Sequence, residues 1–124
     1  MQAFIQRASV YSPLVLRCGL GVVIIWFGAQ QLLHAEAWTI WLPEWTALSG
    51  IAPATIVYLN GGFEVVAGLM LLIGVWTRLV AFVLFLHLLV IIFDIGINPT
   101  GVRDFGLAIA LLAVALREEN QTVL

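Results

Sequence analysis

Apolar residues run through this chain in long blocks separated by short polar punctuation, and the lengths of the blocks indicate the elements. They cover 14–33, 54–75, 79–95 and 102–116. At a rise of about 1.5 Å per residue, the first three are long enough to cross a hydrocarbon core roughly 30 Å thick. The fourth reaches only about 22 Å. It crosses only if Arg103 and Asp104 at its start sit in the headgroup layer or inside a bundle. Residues 1–12 read as a short polar start, and Pro13 suits the first turn of a helix. Along the first block Arg17, Gly21, Ile24, Gly28 and Gln31 recur every three or four residues, so they share one face whose small members permit close backbone approach. Ala35-Glu36-Ala37 has the small-x-small form of a signal cleavage site, but the first block is expected to be retained as a span.

Between the first and second blocks, Trp38, Trp41 and Trp45 recur at helical spacing, with Pro43 preventing one unbroken helix. The expectation is an interfacial segment with its indoles at headgroup level; an aromatic platform for a ligand is the alternative. The second and third blocks form a hairpin about the turn Gly74, Val75, Trp76, Thr77 and Arg78. Each carries one ionisable residue in its middle, Glu64 and His87, at mirror positions about that turn. Two antiparallel helices would bring both to one depth, roughly 17 Å from the turn and close to the bilayer centre. Charge there costs about 2.5 to 3.5 kcal/mol per residue on insertion scales, so two such groups at one level are expected to pair.

Composition agrees with the block lengths. Of the 124 residues 63% are hydrophobic and 10% charged, with a mean hydropathy of +1.11, more apolar surface than a small soluble domain can cover. The fold class that follows is all-α: an integral-membrane four-helix bundle, one domain spanning 1–124, with the tryptophan-rich loop between its first two helices. Five arginines, no lysine and a net charge of −2 offer no stripe for phosphates, which argues against nucleic acid as a partner. Four spans put both termini on one side. Arg7, Arg17, Arg78 and Arg117 fall on that side and only Arg103 on the other, so the termini are expected in the cytoplasm. Cys18 is the only cysteine, so the chain cannot form an internal disulfide or a two-thiol relay.

A resemblance enters with several short motifs in order. Arg17 is followed by Gly19, Gly21 and Phe27-Gly28; Glu64 by Ala67-Gly68, Leu71-Leu72-Ile73-Gly74 and Thr77-Arg78; and then comes Arg103-Asp104-Phe105-Gly106-Leu107-Ala108. Together these resemble the DoxX family of small four-span bacterial membrane proteins. The resemblance implies a location in the bacterial inner (cytoplasmic) membrane. It also places the chain near relatives described as the membrane subunit of a thiosulfate:quinone oxidoreductase, or as partners in membrane-associated oxidoreductase complexes. The chain departs from thiol-active four-span relatives in lacking a cysteine pair, which sets disulfide exchange aside.

The candidate chemistry lies in two layers. In the middle, Glu64 and His87 are the candidate catalytic pair, flanked by Asn60; a carboxylate beside an imidazole can accept and pass protons. The plainer reading is a polar clasp fixing the register of two helices. An outer layer of Gln31, Asp94, Arg103 and Asp104, with Gln30, His34 and Asn98, is either the headgroup pocket of a quinone or lipid or the wet rim of the bundle. His34 and His87 differ by about 16 Å in depth, too far apart to ligate one haem. No His-x-x-His or Cys-x-x-Cys spacing occurs, so no metal site and no covalent cofactor is expected.

Three functions fit these residues. One is a subunit of a quinone-linked oxidoreductase handling protons beside the quinone. Another is a noncatalytic accessory subunit packed against a larger complex. A third is a solute path lined by Arg17, Glu64, His87 and Asp94. Membrane lipids, other membrane subunits or further copies of the chain are the partners expected.

Overall fold

The computed structural model describes residues 1–117, all of whose regular structure is helical. Helix α1 (Gln2–Ser9) precedes α2 (Ser12–Leu33); a short α3 (Ala35–Trp38) and two 3-10 turns (Thr39–Trp41 and Glu44–Ser49) lead to α4 (Pro53–Ile73), α5 (Thr77–Ile95) and α6 (Pro99–Ala115). Helices α2, α4 and α5, of 22, 21 and 19 residues, are long and apolar enough to cross a membrane. Helix α6 has 17 residues, reaches about 25 Å and completes the four-helix bundle.

The four long helices start one to three residues before their hydropathy blocks, α6 by the most. Helix α6 begins at Pro99 rather than 102, because Asn98 caps it: its Oδ1 accepts from the Gly101 N–H at 2.9 Å, and proline at the first helical position needs no partner for a missing N–H. The pair Asn98-Pro99 is thus a helix start as much as a turn. At the other end of the chain, the expected polar start is helix α1. Its apolar positions Phe4, Ile5 and Ala8 fall at helical spacing, yet no residue of it is buried.

The hairpin between α4 and α5 closes tightly. Gly74 takes φ +93, a left-handed conformation that a side chain would strain, and the Gly74 and Val75 N–H groups both return to the Met70 carbonyl at 2.8 and 2.9 Å. Trp76 also has positive φ, at +48.

Although joined by so short a turn, α4 and α5 are not the principal pair. Helix α4 packs mainly on α2, and α5 on α6, while α4 and α5 touch only sparsely. Glycines explain the first pairing. A methyl group built on Gly28 would lie 2.7 Å from the Gly61 carbonyl oxygen, and one on Gly21 would lie 2.9 Å from that of Gly68. The two backbones are therefore in contact through bare glycine faces. The second pairing buries Val80, Ala81, Leu84 and Leu88 of α5 with Ala108, Leu111, Val114 and Ala115 of α6. Arg78 Nε donates to the Ala115 carbonyl at 3.0 Å, tying the start of α5 to the end of α6.

Candidate functional site

Between these two helix pairs, in the half of the bundle toward the tryptophan loop, lies a cavity of about 520 Å³. Its walls are mostly apolar, and Trp38, Trp41 and Trp45 stand over it. The tryptophan segment is thus part of the cavity wall, although Trp41 and Trp45 remain exposed. The polar lining includes Gln31, Asn60, Glu64 and His87 from three helices, with Arg103 and Asp104 from α6.

Glu64 is the centre of the first group and is 6% exposed. Gln31 Nε2 donates to its Oε2 at 2.8 Å, and Asn60 Nδ2 donates to its Oε1 at 3.1 Å. His87 Nε2 lies 3.3 Å from the same Oε1. Asn60 Nδ2 also donates to Gln31 Oε1 at 2.6 Å, and Gln31 Nε2 to the Phe27 carbonyl at 3.2 Å. Both amide orientations follow from the carboxylate: turning either amide over would set oxygen against oxygen. Which of the two donates depends on the imidazole tautomer, and a carboxyl group and an imidazole in contact can exchange a proton. The Phe63 ring lies 5.0 Å from the His87 ring, centroid to centroid, and flanks it.

Gln31 belongs to this middle group and not to an outer layer. The close approaches of Gly28 to Gly61 and Gly21 to Gly68 set the antiparallel register of α2 and α4. In that register the Gln31 backbone lies about 9 Å nearer the loop end than that of Glu64. Side chains lean toward the N-terminus of their own helix, so on antiparallel helices these two lean toward each other and close the gap.

The remaining candidates separate. Asp104 is buried and Arg103 exposed; both line the cavity, with Arg103 Nε a loose 3.7 Å from Asp104 Oδ1. Because α6 starts at Pro99, Asp104 lies beyond its first turn, where it lines the cavity. Asp94 is exposed and does not line the cavity. It lies about a quarter turn round α5 from the stripe through Val80, Ala81, Leu84 and Leu88, which faces inward. Arg17 is buried in the other half of α2 and is not part of the lining either. Of the four residues of the solute-path reading, only Glu64 and His87 therefore meet. Among the described residues no group of three His, Cys, Asp or Glu side chains converges as a metal site would require.

The DoxX family model matches residues 12–96, about two-thirds of the chain. The chain belongs to the DoxX family. No curated protein and no solved structure matches it. In this DoxX protein the matched stretch contains the whole Gln31, Asn60, Glu64 and His87 group, whereas Arg103 and Asp104 lie beyond it.

Proposed function

We propose that this DoxX protein is the membrane-embedded subunit of a quinone-linked oxidoreductase, holding a quinone ring in the cavity while Glu64 and His87 handle its protons. One observation carries the reading. A buried carboxylate with three polar neighbours lies on the wall of an apolar cavity of about 520 Å³, within the size range of small-molecule sites. A quinone is an apolar ring with two carbonyl oxygens, and its reduction takes up two electrons and two protons. The cavity supplies apolar walls for the ring. His87, 24% exposed at its side chain, passes two protons in succession, one to each oxygen, and recovers each from Glu64, which takes both up from water on the tryptophan-loop side. The electrons come from a redox centre on a partner subunit. Lipid headgroups are the competing ligand chemistry. The cluster of Arg7, Arg17, Arg78 and Arg117 at one end supports an inner-membrane orientation with both termini cytoplasmic.

A second reading is a noncatalytic accessory subunit in a larger complex or homo-oligomer. It is favoured by Gly62 on α4 and Gly106 on α6, which present bare helix surface with nothing within 4 Å. Purification in native lipid, followed by extraction of bound quinone and identification of co-purifying polypeptides, separates the two. The first reading expects quinone above its ratio in bulk lipid. It also expects Glu64→Gln to abolish quinone turnover in the purified complex while assembly persists. Unchanged turnover in that variant eliminates the proton role, and a large partner filling the cavity supports the accessory reading.

A further inference from the structure

Part of the cavity lining is also exposed on the outside of the protein. Val90 lines the cavity and yet is 53% exposed on the outside of the bundle. Asn60 and His87, also in the lining, are only half-buried. Val90 and His87 are on α5, and Asn60, on α4, bonds Gln31 of α2 and Glu64 and so marks the inner edge of the seam between α4 and α5. The seam is loose because α4 commits its glycine face to α2, and α5 commits its small and branched face to α6. Along one level Phe63 and His87 close it by ring contact. Nearer the loop end its walls are Ile56 and Asn60 on one side and Val90 and Ile91 on the other. Leu59 and Leu86, both exposed, continue the apolar surface outward. Both helices are spans, so this surface meets acyl chains rather than water.

We infer that the cavity's ligand is a long-tailed amphiphile whose head lies against Gln31, Asn60, Glu64 and His87 and whose tail passes out between α4 and α5, beside Val90, into the bilayer. This rests on the reading that the cavity holds a ligand head, and it adds what the rest of that ligand must be. Polarity runs in the required direction: the hydrogen-bonding groups are inside the cavity, and the seam beyond Asn60 and His87 is hydrocarbon. A small polar solute would gain nothing from this path, since it would have to cross lipid to reach it. The tryptophan loop offers the alternative path, from the aqueous side.

The test uses the full chain in lipid nanodiscs and two probes, decylubiquinone and the same dimethoxy-methyl-benzoquinone ring without its tail. Val90→Trp fills the seam from a position that is already lipid-exposed, so folding should tolerate it. Leu79→Trp, exposed at the opposite end of α5 and outside the lining, is the control. Each probe is compared with itself across variants, which cancels its partition into lipid. Val90→Trp is expected to weaken decylubiquinone binding about tenfold and leave the tail-free ring within about twofold. Leu79→Trp should change neither. Equal weakening of both probes, or of neither, overturns the tail path.

A second readout stands apart from quinone. A diazirine-tailed fatty alcohol should photolabel Asn60, Val90 and Ile91 in the wild type, and Val90→Trp should suppress labelling of Asn60 and Ile91. If neither quinone binds but this pattern holds, the quinone function is lost and the tail path stands with another amphiphile. Labelling confined to outward-facing residues overturns the tail path even if quinone binds.

Discussion

The sharpest consequence of the helix pairing is at Gly28. A methyl group there would lie 2.7 Å from the Gly61 carbonyl oxygen, 2.8 Å from Val65 Cγ2 and 2.8 Å from the Val65 nitrogen. Two of these atoms are backbone, so no rotamer change relieves the overlap and α2 must move away from α4 by several tenths of an ångström. Overpacking of this kind costs about 1 to 3 kcal/mol. Replacing glycine within a helix also returns up to about 1 kcal/mol of propensity, which would mask part of the loss. Gly62→Ala cancels that contribution, because Gly62 is also interior to α4 and has nothing within 4 Å of its would-be methyl group. The stability difference between Gly28→Ala and Gly62→Ala is therefore expected to be the steric cost alone, about 1 to 3 kcal/mol. Reversible unfolding in mixed detergent measures it. Separation of α2 from α4 should also stretch the 2.8 Å bond from Gln31 to Glu64, so Gly28→Ala should weaken ligand binding as well as stability. If the two alanine variants prove equally stable, the glycine contact is not what pairs these helices.

Further expectations follow from the polar group and the cap. Gln31→Leu leaves Asn60 without one acceptor and Glu64 without one donor, so it should destabilise the protein by about 1 to 3 kcal/mol, whereas Asp94→Leu should stay within about 0.5 kcal/mol in the same unfolding assay. His87→Leu removes one of three neighbours of Glu64 and, in a double-mutant cycle with Glu64→Gln, should show a coupling of about 0.6 to 1.7 kcal/mol; a coupling of zero would remove the clasp between α4 and α5. Asn98→Ala deletes the cap of α6 and should cost about 1 kcal/mol, with faster amide exchange confined to residues 100–102. An exchange pattern unchanged there would mean that α6 is held by packing alone.

The site was legible in part, and its particular residues show why. Glu64 and His87 are visible because each is an isolated ionisable group in an apolar block, and because simple counting from the turn brings them to one level. Asn60 is visible as the residue one turn from Glu64. Gln31 reads as an outer residue because counting follows backbone depth, while the contact depends on side-chain lean across an antiparallel pair. Asp94 shares the His87 face of an ideal helix, but a face is useful only where a cavity lies against it, and the cavity meets that face at the level of His87 and not at that of Asp94. The tryptophans read first as membrane anchors, with a ligand platform as the alternative, and their lining of the cavity is a property of the folded loop.

From its sequence alone, this protein is a bundle of membrane spans with an acid and an imidazole at one depth. Those features depend on block length and on the hydrocarbon around each helix, which act on every span separately. Tertiary structure decided that α4 pairs with α2 rather than with its hairpin neighbour α5, that Gln31 reaches Glu64, and that a cavity opens between the two pairs. Each of these is a property of two surfaces at once: how closely glycine faces approach, where side chains lean, and which seam is left loose when the tighter contacts have been made.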